Sequence, residues 1–177
     1  MSHQPPDRPN DDEYAPFYGG YISRVPDGDV LAMLAAQGQE TQSRLGSLTP
    51  EQALHRYAPG KWSVKEVVGH LCDTERIMVY RALCVARGDS TPLPGFDENS
   101  YVPAGAFDRR DLVHLLAELA TVRAATLSLF RTFDEGAWMQ RGNANGRPVS
   151  ARALAWIVAG HERHHLAILA ERYGLGG

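Results

Sequence analysis

The chain has 177 residues, 44% of them hydrophobic, and carries 18 basic against 21 acidic side chains. That length suits one globular domain with a sizeable core. The formal charge of -3 and a pI of about 6.1 supply no single-sign field to draw the protein onto nucleic acid or an anionic membrane. Met1 to Asn10 is polar and proline-bearing, with no apolar run for a signal peptide or a membrane span, so the expectation is a cytoplasmic protein. The only cysteines, Cys72 and Cys84, match neither a metal CxxC nor a disulfide scaffold.

Residues 1–25 combine Pro5, Pro6, Pro9, Pro16, Gly19 and Gly20 with the acidic run Asp11-Asp12-Glu13. They read as an N-terminal tail, disordered or lying on the surface, ahead of a domain over 26–177. Asp27 is placed to cap a first helix whose apolar positions Leu31, Leu34, Ala35 and Leu45 recur at helical spacing up to Gly46. Thr49-Pro50-Glu51-Gln52 predicts a short helical segment ending near Tyr57, because a hydroxyl cap, a proline at the first helical position and a glutamine three residues on together satisfy its first turn.

Ser63-Val64-Lys65-Glu66 is a second capping box and opens a helix of about 24 residues ending at Gly88. The stretch from Gly88 to Ala106, with Phe96-Asp97-Glu98-Asn99-Ser100-Tyr101, is too long and too broken for a minimal connection and reads as a long loop serving a site. Asp108 and Asp111 open a third helix running to about Phe133. After Gly142 to Pro148, Ser150 caps a fourth that stops at Gly174. Arg141 to Val149 is compatible with a small hairpin that nothing in the sequence forces. Four long helices and no convincing alternating strand predict an all-α four-helix bundle.

The inward stripe of the fourth helix reads Leu154, Val158, His161, His165, Ile168, so two imidazoles interrupt an apolar seam. Four residues apart, they stack on one face and reach a common ion about 2.0 to 2.1 Å away. The second helix offers His70 on the face of Val67, Thr74 and Ile77 as the third ligand, and three protein ligands leave a position open for water or substrate. A lone histidine on an apolar face is ordinarily a hydrogen-bonded core residue. Three would leave several buried nitrogens unsatisfied at roughly 1 to 3 kcal/mol each, and one shared ion satisfies them together.

His164 is placed at the rim of this set, while His3, His55 and His114 are not assigned to it. No catalytic residue is assigned. Glu66, Asp73, Asp97, Glu98 and Glu162 are carboxylates within sequence reach of the histidines, and Arg81 and Arg163 are cations able to hold an anionic substrate, but each also reads as a cap, a solvated charge or a surface residue. Cys72, two residues from His70, falls on a different helical face.

Three stretches resemble the DinB-like superfamily, which includes the YfiT-type metal-dependent hydrolases: Lys61-Trp62-Ser63-Val64-Lys65-Glu66-Val67-Val68-Gly69-His70-Leu71, then Phe96 to Tyr101, then Gly160-His161-Glu162-Arg163-His164-His165-Leu166. Their order and spacing carry the resemblance over roughly 26–173. It implies an up-down-down-up bundle, a divalent metal (zinc or nickel), frequent homodimers, and relatives that include thiol-dependent transferases and isomerases.

The expectation is therefore a metal ion on His70, His161 and His165 that activates water or a low-molecular-weight thiol against a small-molecule substrate, as a hydrolase or thiol S-transferase. The rival readings are a non-catalytic bundle whose metal is structural or sensing, and a metal-free interaction module with Trp62, Trp138 or Trp156 on its partner surface.

Overall fold

A computed structural model describes residues 5–175; His3 and the first residues of the expected tail lie outside it. Helix starts follow local cap chemistry. Thr49 and Ser63 form the two capping boxes, with Gln52 and Glu66 answering them, at the heads of α3 (Pro50–Leu54) and α4 (Val64–Ala86). Ser150 accepts from the Ala153 N–H at the head of α8 (Ala151–Tyr173).

Two expected caps shift. Asp29, not Asp27, accepts the Leu31 and Ala32 N–H groups of α2 (Val30–Leu45), and the exposed Asp27 instead takes a hydrogen bond from the half-buried Arg8. Asp111 precedes α6 (Leu112–Phe130) without a side-chain cap bond, while Asp108 accepts from Ser63 Oγ and Arg56.

Helix directions can be read from cross-links. Gln42 bonds Leu116 O and Arg123 bonds Leu34 O, so α2 and α6 run antiparallel. Cys72 faces Leu115 O and Thr126 bonds Glu75, so α4 and α6 run parallel. Tyr173 bonds Trp62 O while His161 meets His70, so α8 opposes α4. The order is up-down-down-up. Two consecutive parallel helices need a connection as long as the bundle, and α4 alone, with 23 residues, is about 35 Å long at 1.5 Å per residue.

That requirement accounts for the long segment after Gly88. It is not a bare loop, for it carries α5 (Glu98–Gly105), whose first turn is capped by Asp97. The hairpin forms as β1 (Arg141–Ala144) and β2 (Arg147–Ser150). Asn145 and Gly146 both hold positive φ at its turn, the conformation that two-residue hairpins require. A short helix, α7 (Glu135–Met139), joins α6 to the hairpin.

The N-terminal segment departs from the expected tail. Short 3-10 turns at Asp11–Glu13 and Pro16–Tyr18 lead into α1 (Gly19–Ile22), which packs on α8. Ile22 and Val25 are buried in the core and Glu13 is fully buried. Trp156 Nε1 donates to Pro6 O and the Arg8 guanidinium lies over the Trp156 ring. These prolines and acids had read as loop chemistry because their partners Ser150, Arg152 and Trp156 lie far along the chain.

The core has two apolar clusters. One is built on Phe130, Phe133, Trp138, Leu154 and Trp156 and the other on Val64, Leu71, Leu115, Leu119 and Leu169. Trp138 and Trp156 are therefore core residues, not a partner surface. Between the clusters lies a buried polar layer. Arg123 forks onto both oxygens of Glu75 at 2.9 and 2.8 Å and reaches Glu162 at 2.8 Å. Gln37 and Thr41 donate to Glu162 from α2. By length and composition α6 would also suffice to cross a membrane; here it lies against α2 and α4 and contributes Arg123 to this layer.

Candidate metal centre

The three predicted histidines meet in the polar layer. His70 comes from α4 and His161 and His165 from α8, four residues apart on one face. His70 Nε2 lies 3.0 Å from His161 Nε2, which lies 3.2 Å from His165 Nε2. Two imidazoles on one tetrahedral ion, each about 2.0 to 2.1 Å away, would hold their nitrogens roughly 3.3 Å apart. The donor set therefore fits a metal, and these three are the His, Cys, Asp or Glu group whose ligand atoms converge among the described residues.

Close packing brings the helices to this distance. Gly160 precedes His161, and a Cβ there would lie 2.2 Å from Tyr21 O; Gly69 precedes His70, and a Cβ there would lie 2.3 Å from the Phe107 ring. Larger residues would push α1 off α8 and the Phe107 turn off α4.

The electrostatics favour neutral rings. Burial lowers the His70 pKa to about 4, and burial with the neighbouring His70 and His164 lowers that of His165 to about 3. His161 is pushed well below the usual value by burial first and then by His165 and His70. Neutral imidazole is the ligand form. Thr74 Oγ1 sits 3.4 Å from His70 Nδ1, which favours the tautomer that turns the Nε2 lone pair to the centre.

The centre forms the floor of an open cleft of about 410 Å³. Trp62 covers one side, with its ring 4.8 Å from His70, and Tyr21 meets His161 edge-on at 5.4 Å. Phe96 from the segment after α4 and Asn145 from the hairpin turn complete the wall.

Residues 33–169, which include all three histidines, match the DinB superfamily. The chain belongs to the DinB superfamily. Solved structures of similar fold include YfiT from Bacillus subtilis, described as "a probable metal-dependent hydrolase with an unusual four-helix bundle topology", at a TM-score of 0.69 and 19% identity over 92% of this chain and 89% of that one. A mycothiol-dependent maleylpyruvate isomerase aligns at 0.66 and 16% identity over 82% of this chain, as does a histidine-to-alanine mutant of it at 15%. This DinB superfamily member spans 61% of that isomerase. No curated protein matches the sequence.

The remaining sequence candidates are dispersed in this superfamily member. His164 is half-buried at the rim beside Tyr21, His114 is exposed on α6, and His55 packs edge-on to Tyr173. Glu162 is not a solvated charge: it turns into the core against Arg123. Glu66 caps α4 and binds Arg56. Asp73 lies beside Arg76 on the bundle's flank, and Asp97 caps α5. Cys72 is buried against Leu115 O, with its thiol pushed up to about 12 by burial and then by Glu118, so it is no ligand.

Arg163 is held by Gln37. Arg81, which read either as a cation for an anionic substrate or as a surface charge, is 3% exposed and lines the cleft. A signal for Arg81 was present, since it follows His70 by eleven and so returns to the same helical face. Tyr21 carried none, because only tertiary packing brings α1 to the site.

Proposed function

We propose that the protein is a metal-dependent enzyme in which His70, His161 and His165 hold one divalent ion, zinc or nickel, at the floor of a cleft that admits a small-molecule substrate. The observation that carries this reading is the approach of three neutral Nε2 atoms at 3.0 and 3.2 Å with open space above them. Hydrogen bonds among three neutral rings would satisfy these nitrogens only in pairs, whereas one cation takes all three lone pairs at once. The buried layer behind them supports the reading, since it sets two carboxylates, Glu75 and Glu162, against one guanidinium, Arg123, a net negative charge that a cation held by neutral imidazoles would offset.

A bound divalent ion would supply Lewis acidity, lowering the pKa of a water or thiol nucleophile toward neutrality. The chain's own residues supply the rest. Thr74 orients His70, Trp62 and Tyr21 screen the histidines from bulk water, and the cleft brings the electrophile to the nucleophile. Metal-dependent hydrolysis and thiol-dependent isomerisation, the chemistries named for its fold neighbours, both begin from an acidified nucleophile. A structural zinc is ordinarily closed by a fourth protein ligand, and none joins the three histidines among the described residues, which favours an open, reactive site.

The test is elemental analysis of untagged protein beside His161→Ala. About one ion per chain, lost in the variant, is the expected outcome. Absence of metal after reconstitution with zinc and with nickel would remove the reading. In His70→Ala, retained folding with lost turnover assigns catalysis, whereas unfolding on metal loss assigns a structural clip.

A further inference from the structure

The cleft contains a second recognition element. His70, Thr74, Met78 and Arg81 follow one another at steps of four, four and three along α4, and all four line the cleft. Arg81 stands three turns beyond His70, about 16 Å along the axis at 1.5 Å per residue. Helical side chains lean back toward the N-terminus, which brings the guanidinium to roughly 10 to 13 Å from the histidine centre.

Arg81 is unlike the other buried guanidiniums. Arg123 is neutralised by Glu75 and Glu162, and Arg152 by Glu13. Arg81, at 3% exposure, has no carboxylate partner among the described residues. Its Nη2 donates to Pro94 O at 2.6 Å and its Nη1 faces Met78 Sδ at 3.6 Å, while Phe96 lies 5.9 Å from its Cζ. The Tyr18 hydroxyl also lies beside the guanidinium, but a backbone carbonyl, a thioether and a neutral phenol leave the unit charge uncompensated, and a buried charge without a counter-ion is costly. Glu98, the acid on the same cleft, is exposed on α5 and makes no ion pair with it.

We infer that Arg81 is the anion seat of this cleft, binding a carboxylate on a small molecule whose other end reaches the three-histidine centre. The planar fork of an arginine suits a carboxylate bidentately, and the gap sets the ligand's length. A six-carbon chain spans it, with a sulfur at the histidine end and the carboxylate at Arg81. The same seat serves a carboxylate of the thiol or one of the electrophile. This inference rests on the metal reading above for the ligand's second contact and on Arg81 alone for its first.

The probe is 6-mercaptohexanoate against 6-mercaptohexanol, titrated into cobalt-loaded protein and followed by the sulfur-to-cobalt absorption band. The acid should bind about tenfold or more tightly, the range of a charge-assisted hydrogen bond in a buried site. Arg81→Gln should erase that preference and leave the alcohol's affinity unchanged, and Arg81→Lys should keep part of it. Equal binding of acid and alcohol to the unaltered protein overturns the proposal without recourse to a variant, as does a preference that survives Arg81→Gln. If plain hexanoate binds in an Arg81-dependent way without disturbing the band of bound 6-mercaptohexanol, the seat stands and the carboxylate belongs to the electrophile. Failure of cobalt to load sinks the metal reading instead. Hexanoate calorimetry on the metal-free protein then decides Arg81 separately, and an absent or Arg81-independent signal overturns it.

Discussion

At His70 one imidazole meets two demands: its Nε2 faces the centre while its Nδ1 faces Thr74. Losing the Thr74 hydroxyl frees the ring to turn and to change tautomer, and such supporting contacts are typically worth tenfold to a hundredfold in metal affinity. Thr74→Val keeps the side chain's shape. It should weaken zinc binding by about tenfold in competition with a chromogenic chelator, with the melting curve of the metal-free protein little changed. Unaltered affinity would mean that packing against Trp62 alone fixes the ring. Arg81 and Glu162 belong to this scale as well, for each was visible as a charged residue near a histidine, yet its burial and partners were not.

Among the elements, the N-terminal segment shows how much a short stretch depends on what it touches. Burial raises the Glu13 pKa, but hydrogen bonds from Arg152, the Asn10 N–H and Ser150 outweigh it and hold the carboxyl at about 2. A carboxyl depressed in the folded state stabilises above its unfolded value near 4.3, and that contribution is lost as pH falls toward 2. Glu13→Gln should therefore cost roughly 2 to 3 kcal/mol at pH 7. Urea unfolding at pH 7, 5 and 3 should show the gap to the unaltered protein narrowing at the lowest value. A gap constant with pH would assign the loss to packing instead. The segment that carries Glu13 also carries Tyr18 and Tyr21, so pinning it to α8 builds one wall of the cleft.

Across the whole molecule, the buried polar layer divides the core and sets the helix register. Arg123 on α6 ties α2 through Leu34 O, α4 through Glu75 and α8 through Glu162, at the level where the histidines converge. Removing one partner of a buried pair leaves an uncompensated charge, at roughly 3 to 5 kcal/mol. Arg123→Met, which preserves bulk, should destabilise by about that amount in urea and lower metal affinity as the register relaxes. A loss under about 1 kcal/mol would show that the apolar clusters alone hold the bundle.

The sequence by itself determined what lies within a few residues along a helix. The Thr49–Gln52 and Ser63–Glu66 boxes, the Ser150 cap and the stacking of His161 on His165 all follow from spacings of three and four, because helical geometry converts those spacings into contact. The third histidine was legible too, as a polar interruption of an apolar face, though its 3.0 Å approach to His161 joins residues 91 positions apart. Tertiary structure alone decided the rest: the docking of residues 5–25 onto the bundle, the turn of Glu162 into the core, the helix inside the long connection and the unpaired Arg81 in the cleft. The physical reason is that a charge or a proline carries the same local signal whether it faces water or a distant partner, and only the packed chain supplies the partner.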